Sequence, residues 1–309
     1  MALKTQTITV NLGPQHPSTH GVLRIIIQVD GERVVDVEPV IGYLHRGMEK
    51  MAEARTYVQN IPLTDRMDYV AAMSNNLAYV LAIEQLMDIV PTERAEYIRV
   101  IMAEFTRIQS HMVATGALLN DLGAFFTPMM YCLEGRERIV DLFEMASGSR
   151  MTCNYMRPGG VRYDLSDRFL PRAQEVVAWL PGFIDELEQL LTDNEILRMR
   201  CIGVGVLPPD VAVNYGVSGP MARASGVNYD VRRAQPYSIY NRFDFEIPVT
   251  YNGDTYDRYL LRVREMRQST RILEQALHDI PDGEYMAEVP RPRVLRPPVG
   301  EAYSRIEGP

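Results

Sequence analysis

Apolar and polar residues alternate with period two near the start of the chain and change to a helical spacing after about residue 62. TITVNL at 7–12 alternates as a strand does. GVLRIIIQVDGERVVDVEPV at 21–40 then gives two β-rich runs joined at Asp30-Gly31, a hairpin signal. Between them lies GPQHPSTHG at 13–21, whose prolines and glycines predict a stiff irregular loop. From 64 to 88, Met67, Val70, Met73, Leu77 and Leu81 fall along one helix face. Thr92, after Pro91, is placed to cap a second helix in which Ile98, Ile101, Met102, Phe105, Ile108 and Met112 recur at three and four residues. Further helices are predicted over 134–150, over 170–198 with Pro181 as a kink, and over 254–279 behind Asp254. The span 199–253, rich in Gly, Pro, Asn and Tyr, predicts irregular surface and short strands.

The expected fold class is therefore α+β, mainly α-helical. A β-rich region at 1–42 precedes a long-helix bundle at 43–200. An irregular part at 201–309 follows, with one more helix and a Pro-rich tail. That tail, EVPRPRVLRPPVGEAYSRIEGP, stops in mid-pattern and carries the expectation of further sequence beyond it.

Composition narrows the function classes. Of 309 residues 46% are apolar and 23% charged, which is the balance of a folded chain. A net charge of −8 argues against nucleic acid, which needs a basic face. The longest nearly uncharged stretch, 201–221, is broken by Asp210, two prolines and several glycines, so no spanning helix is expected. The N-terminus lacks a basic region followed by an apolar run and a small-residue cleavage site, which leaves a cytosol-side protein as the default expectation. Cys132, Cys153 and Cys201 are far apart with no C-x-x-C, and are expected to be buried thiols.

His16 and His20 share the Pro-Gly loop. Loop imidazoles suit proton delivery to a reduced anionic ligand, or else are satisfied by nearby backbone. Their spacing of four would gather a metal only on a helix, which Pro17 forbids, so no metal site is expected. His111 and His278, on predicted helices, read as structural. No phosphate-binding glycine motif, nucleotide fingerprint or nucleophile elbow is present.

GPQHPSTHG, EPVIGYLHRGMEK (38–50), TDRMDY (64–69), DLGA (121–124), SGSRM (147–151) and RPGG (157–160) run in an order and spacing that resembles the D subunit, or 49-kDa subunit, of proton-pumping NADH:quinone oxidoreductase, complex I. The resemblance spans most of the chain. It implies a fold like the large subunit of nickel-iron hydrogenases, without the paired cysteines those enzymes use for nickel. It also implies that His20 and Tyr69 hold a quinone headgroup, ubiquinone or menaquinone, with Asp121 behind the histidine and His16 in the same pocket loop. By the same resemblance Arg46 and Arg66 lie near a four-iron four-sulfur cluster bound by a partner, the B subunit. This chain itself then binds no resident cofactor. The B, C and I subunits and the membrane-embedded H subunit of complex I are the implied partners, and the cytoplasmic face of a bacterial plasma membrane is the implied location. Thr152 departs from the histidine that many members carry after S-G-x-R-M, which fits a low-potential quinone such as menaquinone. Two other roles stay open: the same part in a ferredoxin- or deazaflavin-driven relative of complex I, and a non-catalytic assembly role. A membrane-bound hydrogenase large subunit would require the missing cysteine pairs.

Overall fold

The computed structural model describes residues 6–15, 21–123, 127–290 and 295–309. His16 and His20 lie outside the described residues. The chain divides into two units, Met1–Ala54 and Arg55–Pro309.

In the first unit β1 (Ile8–Leu12), β2 (Arg24–Asp30) and β3 (Arg33–Val40) form an antiparallel sheet in the order β1-β2-β3. Ile8 pairs with Val29 and Leu12 with Ile25. Arg24 pairs with Val40 across the other edge of β2. The hairpin turns at Gly31 with φ 61, a conformation that costs glycine little. Gln15 N–H donates to the Gly21 carbonyl at 3.2 Å, so a backbone bond brackets residues 16–20. Gly13 is required beside them, because a Cβ there would lie 2.0 Å from the Leu23 carbonyl oxygen. A short helix α1 (Met48–Glu53) ends the unit.

The second unit is helical: α2 (Tyr57–Thr64), α3 (Ala72–Met87), α4 (Glu93–Asp121), α5 (Thr127–Ser147), α6 (Phe169–Leu191), α7 (Glu195–Cys201), α8 (Pro209–Asn214), α9 (Gly219–Ala224), α10 (Val231–Ala234) and α11 (Thr255–Asp279). Two short strands, β4 (Met156–Arg157) and β5 (Gly160–Val161), sit between α5 and α6. The chain is thus mainly helical α+β.

Helix α4 is the centre of the bundle, packed against α3, α5 and α11. Thr92 caps it by accepting from Ala95 N at 3.3 Å, and Asp254 caps α11 by accepting from Asp257 N at 2.8 Å. The apolar positions read from sequence, Ile98, Ile101, Met102, Phe105, Ile108 and Met112, are all buried. So are Arg99, Glu104, Arg107 and His111 on the same helix. The three charged residues take part in buried ion pairs, and His111 in a buried hydrogen bond, that the apolar spacing does not reveal.

Glu104 accepts from Arg232 (3.1 and 3.2 Å), Arg107 (3.3 Å), the Tyr240 hydroxyl (2.7 Å) and the Ser269 hydroxyl (2.6 Å). Burial pushes its carboxyl up, but the two guanidiniums and two hydroxyls outweigh that and hold it at about 2. Glu265 accepts from Arg223 (2.8 and 2.6 Å) and from His111 Nε2 (2.8 Å). A carboxylate only accepts, so His111 carries its proton on Nε2. Burial lowers the His111 pKa, against the opposing pull of Glu265. Arg223 also meets Glu307 at 2.6 Å, and Arg107 donates to the carbonyls of Glu307 (2.8 Å) and Gly308 (2.7 Å), so the tail is drawn into the same network.

RPGG has a structural explanation. Gly159 N–H donates to Glu84 Oε1 at 2.6 Å, and the Gly160 carbonyl accepts from Arg99, which pairs with both Glu84 oxygens at 2.5 and 3.1 Å. A Cβ on Gly160 would lie 2.2 Å from the Tyr285 carbonyl, a backbone atom that cannot rotate aside. Gly160→Ala is accordingly expected to cost about 3 kcal/mol or more. Chemical denaturation should read that as a lower midpoint with unchanged slope, and an unchanged midpoint would refute the packing account.

Several predicted boundaries differ. The helix expected over 64–88 begins at Ala72, because Asp68 takes the Val70 N–H (3.0 Å) into a turn and sets Tyr57–Thr64 apart as its own helix. The helix expected from 134 begins at Thr127, with Pro128 in the first turn, where its missing N–H costs nothing. The helix over 170–198 divides at Asn194, whose side chain accepts from Ile196 N (3.0 Å) and Leu197 N (3.2 Å) and starts α7. The short strands expected in 199–253 are replaced, among the described residues, by α8, α9, α10 and a 3-10 turn at Tyr240–Arg242. Pro209 and Pro220 in the first turns of α8 and α9 favour the helical φ that a strand would not use. All three cysteines are buried and unpaired.

Candidate functional site

The TDRMDY motif forms the corner between α2 and α3. Helix α2 starts with a capping box, Gln59 N donating to Thr56 Oγ1 (3.4 Å) and Thr56 N to Gln59 Oε1 (3.0 Å). It ends at Asp65, after which Arg66 N and Met67 N close single turns onto Leu63 and Thr64. Asp68 then directs the chain into α3: its carboxylate takes Val70 N, and its carbonyl accepts from Ala71 N (3.0 Å) and Asn75 Nδ2 (3.1 Å). From α4, Gln109 Nε2 ties the corner down through the Val70 carbonyl at 2.7 Å. Tyr69 projects from this anchored turn with 58% of its surface exposed.

Beneath the turn Asp65 is fully buried, 0% exposed, with Oδ1 accepting from Asn154 N at 3.2 Å. Its Oδ2 has no partner among the described residues, nor does Oδ1 of the neighbouring Asn76. Burial raises the Asp65 pKa to about 6, against the opposing pull of the Asn154 N–H, Asn76, Arg66 and Arg157.

The raised value gives the pH dependence its sign. Between about 4 and 6 the native chain holds a proton that the unfolded chain has lost, so this group's contribution to stability falls as pH rises through that window. Asp65→Asn is expected to stabilise the chain at pH 8 by on the order of 2 kcal/mol, with no gain below pH 4. Melting curves at the two pH values check this, and an equal effect at both would exclude titration of Asp65 as its cause.

Arg66 lies on the same corner, its Nη1 donating to the Pro62 carbonyl at 2.7 Å. Asp121 is the exposed last residue of α4. The helical rise puts about 18 Å between Asp121 and Gln109, the α4 residue that bonds the Tyr69 turn. Arg46 is exposed in the first unit, in the loop between β3 and α1. The second unit thus brings Tyr69 and Arg66 onto one corner and leaves Asp121 at a helix end. Asp65, Asn76 and Gln109, which support that corner, were not singled out from sequence. The available signal was the pair of carboxylates flanking Arg66 in TDRMDY. In SGSRM, Arg150 pairs with Glu137, with Asp141 (3.4 Å) and with Glu144 (3.7 Å) along α5. Among the described residues no group of three His, Cys, Asp or Glu side chains is placed to hold a metal ion, and no helix is long and apolar enough to cross a membrane.

Fold and corner together define a mainly helical α+β chain that presents an exposed phenol from a turn lying over the buried Asp65 carboxyl. Residues 121–309 match the family described as respiratory-chain NADH dehydrogenase, 49 Kd subunit. The whole chain is 58% identical over 309 residues to the D subunit of NADH-quinone oxidoreductase from Dehalococcoides mccartyi (strain BAV1), covering 84% of that protein. It is 56% identical to the first D subunit of NADH-quinone oxidoreductase from Roseiflexus sp. RS-1, with 99% of this chain and 84% of the relative covered. It is 52% identical to the D subunit from Desulforamulus reducens, with 99% and 83% covered. The chain belongs to the 49-kDa subunit family of complex I.

Proposed function

We propose that this chain supplies quinone-binding residues to a proton-translocating NADH:quinone oxidoreductase and works as a part of that complex. Electrons reach quinone from the terminal four-iron four-sulfur cluster of the partner B subunit, with the C, I and H subunits as further neighbours, on the cytoplasmic face of the membrane. Family membership supports the assignment. The observation that carries the site is the exposed Tyr69 phenol on a turn anchored by Asp65, Asp68 and Gln109.

A quinone takes up two electrons and two protons to become a quinol, each carbonyl oxygen gaining one O–H bond. In this reading Tyr69 O–H donates a hydrogen bond to one carbonyl oxygen and a His20 ring N–H to the other, and each passes its proton as negative charge develops. Asp121 orients the histidine and favours its charged form, and His16 belongs to the same loop. Arg46 and Arg66 place positive charge near the partner's cluster and favour its reduced state. Both are positioning residues in this scheme.

His20→Ala or Tyr69→Phe in the assembled complex should depress NADH:quinone activity while NADH oxidation by an artificial acceptor is retained. Equal loss of both activities would count against the reading. Loss of assembled complex at unchanged turnover would favour an assembly role instead.

A further inference from the structure

The Asp65 carboxyl is a buried titratable group that the quinone scheme leaves unused. It stands at the C-terminal cap of α2, one residue before Arg66 and four before Tyr69, and is 0% exposed. Its Oδ1 accepts at 3.2 Å from the N–H of Asn154, a residue held at φ 45 whose side-chain oxygen accepts from Arg157 Nη1 at 3.0 Å. One carboxyl thus ties the Tyr69 corner to the segment that follows SGSRM.

The second oxygen is unmet. Oδ2 has no hydrogen-bond partner among the described residues and no surface open to solvent. Neighbouring donors are directed elsewhere. Arg66 Nη1 donates to the Pro62 carbonyl, and Arg157 Nη1 to Asn154 Oδ1 and the Met156 carbonyl (2.8 Å). On α3, Asn76 Nδ2 donates to the Ile61 carbonyl (3.3 Å) and Thr64 Oγ1 (2.9 Å). On α4, Gln109 Nε2 is taken by the Val70 carbonyl.

The ionisable neighbours are two arginines and a thiol. Cys153, in the loop before β4, donates to the Ser149 (3.4 Å) and Met151 (3.2 Å) carbonyls, and burial pushes its thiol up to about 11, so it is neutral. Arg66 on the corner and Arg157 on β4 are cations, and both pull the Asp65 carboxyl down, yet burial outweighs them. The position adds to the cost of charge, because an anion at a helix C-terminus meets the negative end of the helix dipole. An enclosed oxygen with no open surface leaves no place for a water or a metal ion. A proton needs no such space.

We propose that Asp65 is a positioning residue for quinone reduction that acts through its charge: its carboxyl gains and releases a proton beneath the Tyr69 corner, and the negative charge left on release holds the Tyr69 phenol proton back. The role rests on the quinone reading of Tyr69, and Asp65 itself passes no proton to quinone. An ionised Asp65 disfavours the phenolate character that Tyr69 takes on as it donates, whereas a neutral one does not. With its value raised to about 6, the carboxyl changes charge in mildly acidic solution.

The test compares Asp65→Asn with the parent in the assembled complex across pH. Asn keeps an oxygen for the Asn154 N–H and is neutral at every pH. The ratio of its quinone reduction rate to the parental rate should be near one at pH 5 and rise to about three or more at pH 8, the effect of a charge that moves the phenol's acidity by about one unit. A ratio that does not rise with pH overturns the proposal, because loss of structural support alone would lower the rate alike at both ends. A second measurement needs no quinone: 3-fluorotyrosine placed at position 69 of the full chain should show a fluorine NMR shift step with its midpoint near 6, below its own ionisation, and the step should vanish in Asp65→Asn. Asp65→Ser serves as the neutral replacement if Asp65→Asn fails to fold. No step, or a step that survives the substitution, overturns the proposal. Tyr69→Phe at the parental rate beside an intact step would remove the quinone reading, whereas a missing step beside a slow Tyr69→Phe would remove the Asp65 role alone.

Discussion

Tyr69→Phe is expected to lower quinone reduction by the assembled complex by about 10²- to 10⁴-fold, the range that general acid catalysis contributes. The change removes one oxygen atom and keeps the ring. Because the side chain is 58% exposed and the bonds that anchor the corner run through Asp68, Val70 and Gln109 rather than its hydroxyl, the fold has little to lose. Complex yield and thermal melting should therefore match the parent, which separates chemistry from assembly. A variant that reduces quinone at the parental rate would remove Tyr69 from the reaction.

Glu104→Ala is expected to have the largest structural effect in the chain. The substitution removes the shared acceptor of Arg107, Arg232, Tyr240 and Ser269 at full burial. Asp230 still pairs with Arg232 at 2.7 Å, and Arg107 keeps its bonds to the tail carbonyls, but two cations lose a common counter-charge. Breaking a buried pair by deleting one partner costs about 3–5 kcal/mol, a large share of the roughly 5–15 kcal/mol that holds a typical protein folded. Insoluble expression, or a melting midpoint lowered by well over about 5 °C, is the expected outcome. A variant that melts with the parent would show that the remaining partners reorganise without loss.

The helices were legible wherever a cap and a periodic apolar face coincided, as at Thr92 and Asp254. They were misplaced where a side chain redirects the backbone, as Asp68 and Asn194 do. Both residues look ordinary in sequence, because Asp and Asn serve equally as surface, turn and cap residues. The candidate corner was legible in part. TDRMDY identified the segment, and Tyr69 and Arg66 do share its corner. What fixes that corner comes from distant stretches: Gln109 on α4, and Asn154 just before β4. Only folding decides that such residues meet.

Residue identity, order and short-range spacing were enough to settle the family, the mainly helical α+β class and the apolar faces of the long helices. Which charges are buried, and with whom, emerged only once the chain was folded. Arg99, Glu104, Arg107 and His111 lie on the longest helix with nothing local to separate them from solvent-facing residues. Their partners Glu84, Arg232 and Glu265 come from elsewhere in the chain. Ion pairing in a dry interior depends on distance in space, and one-dimensional spacing carries no record of it.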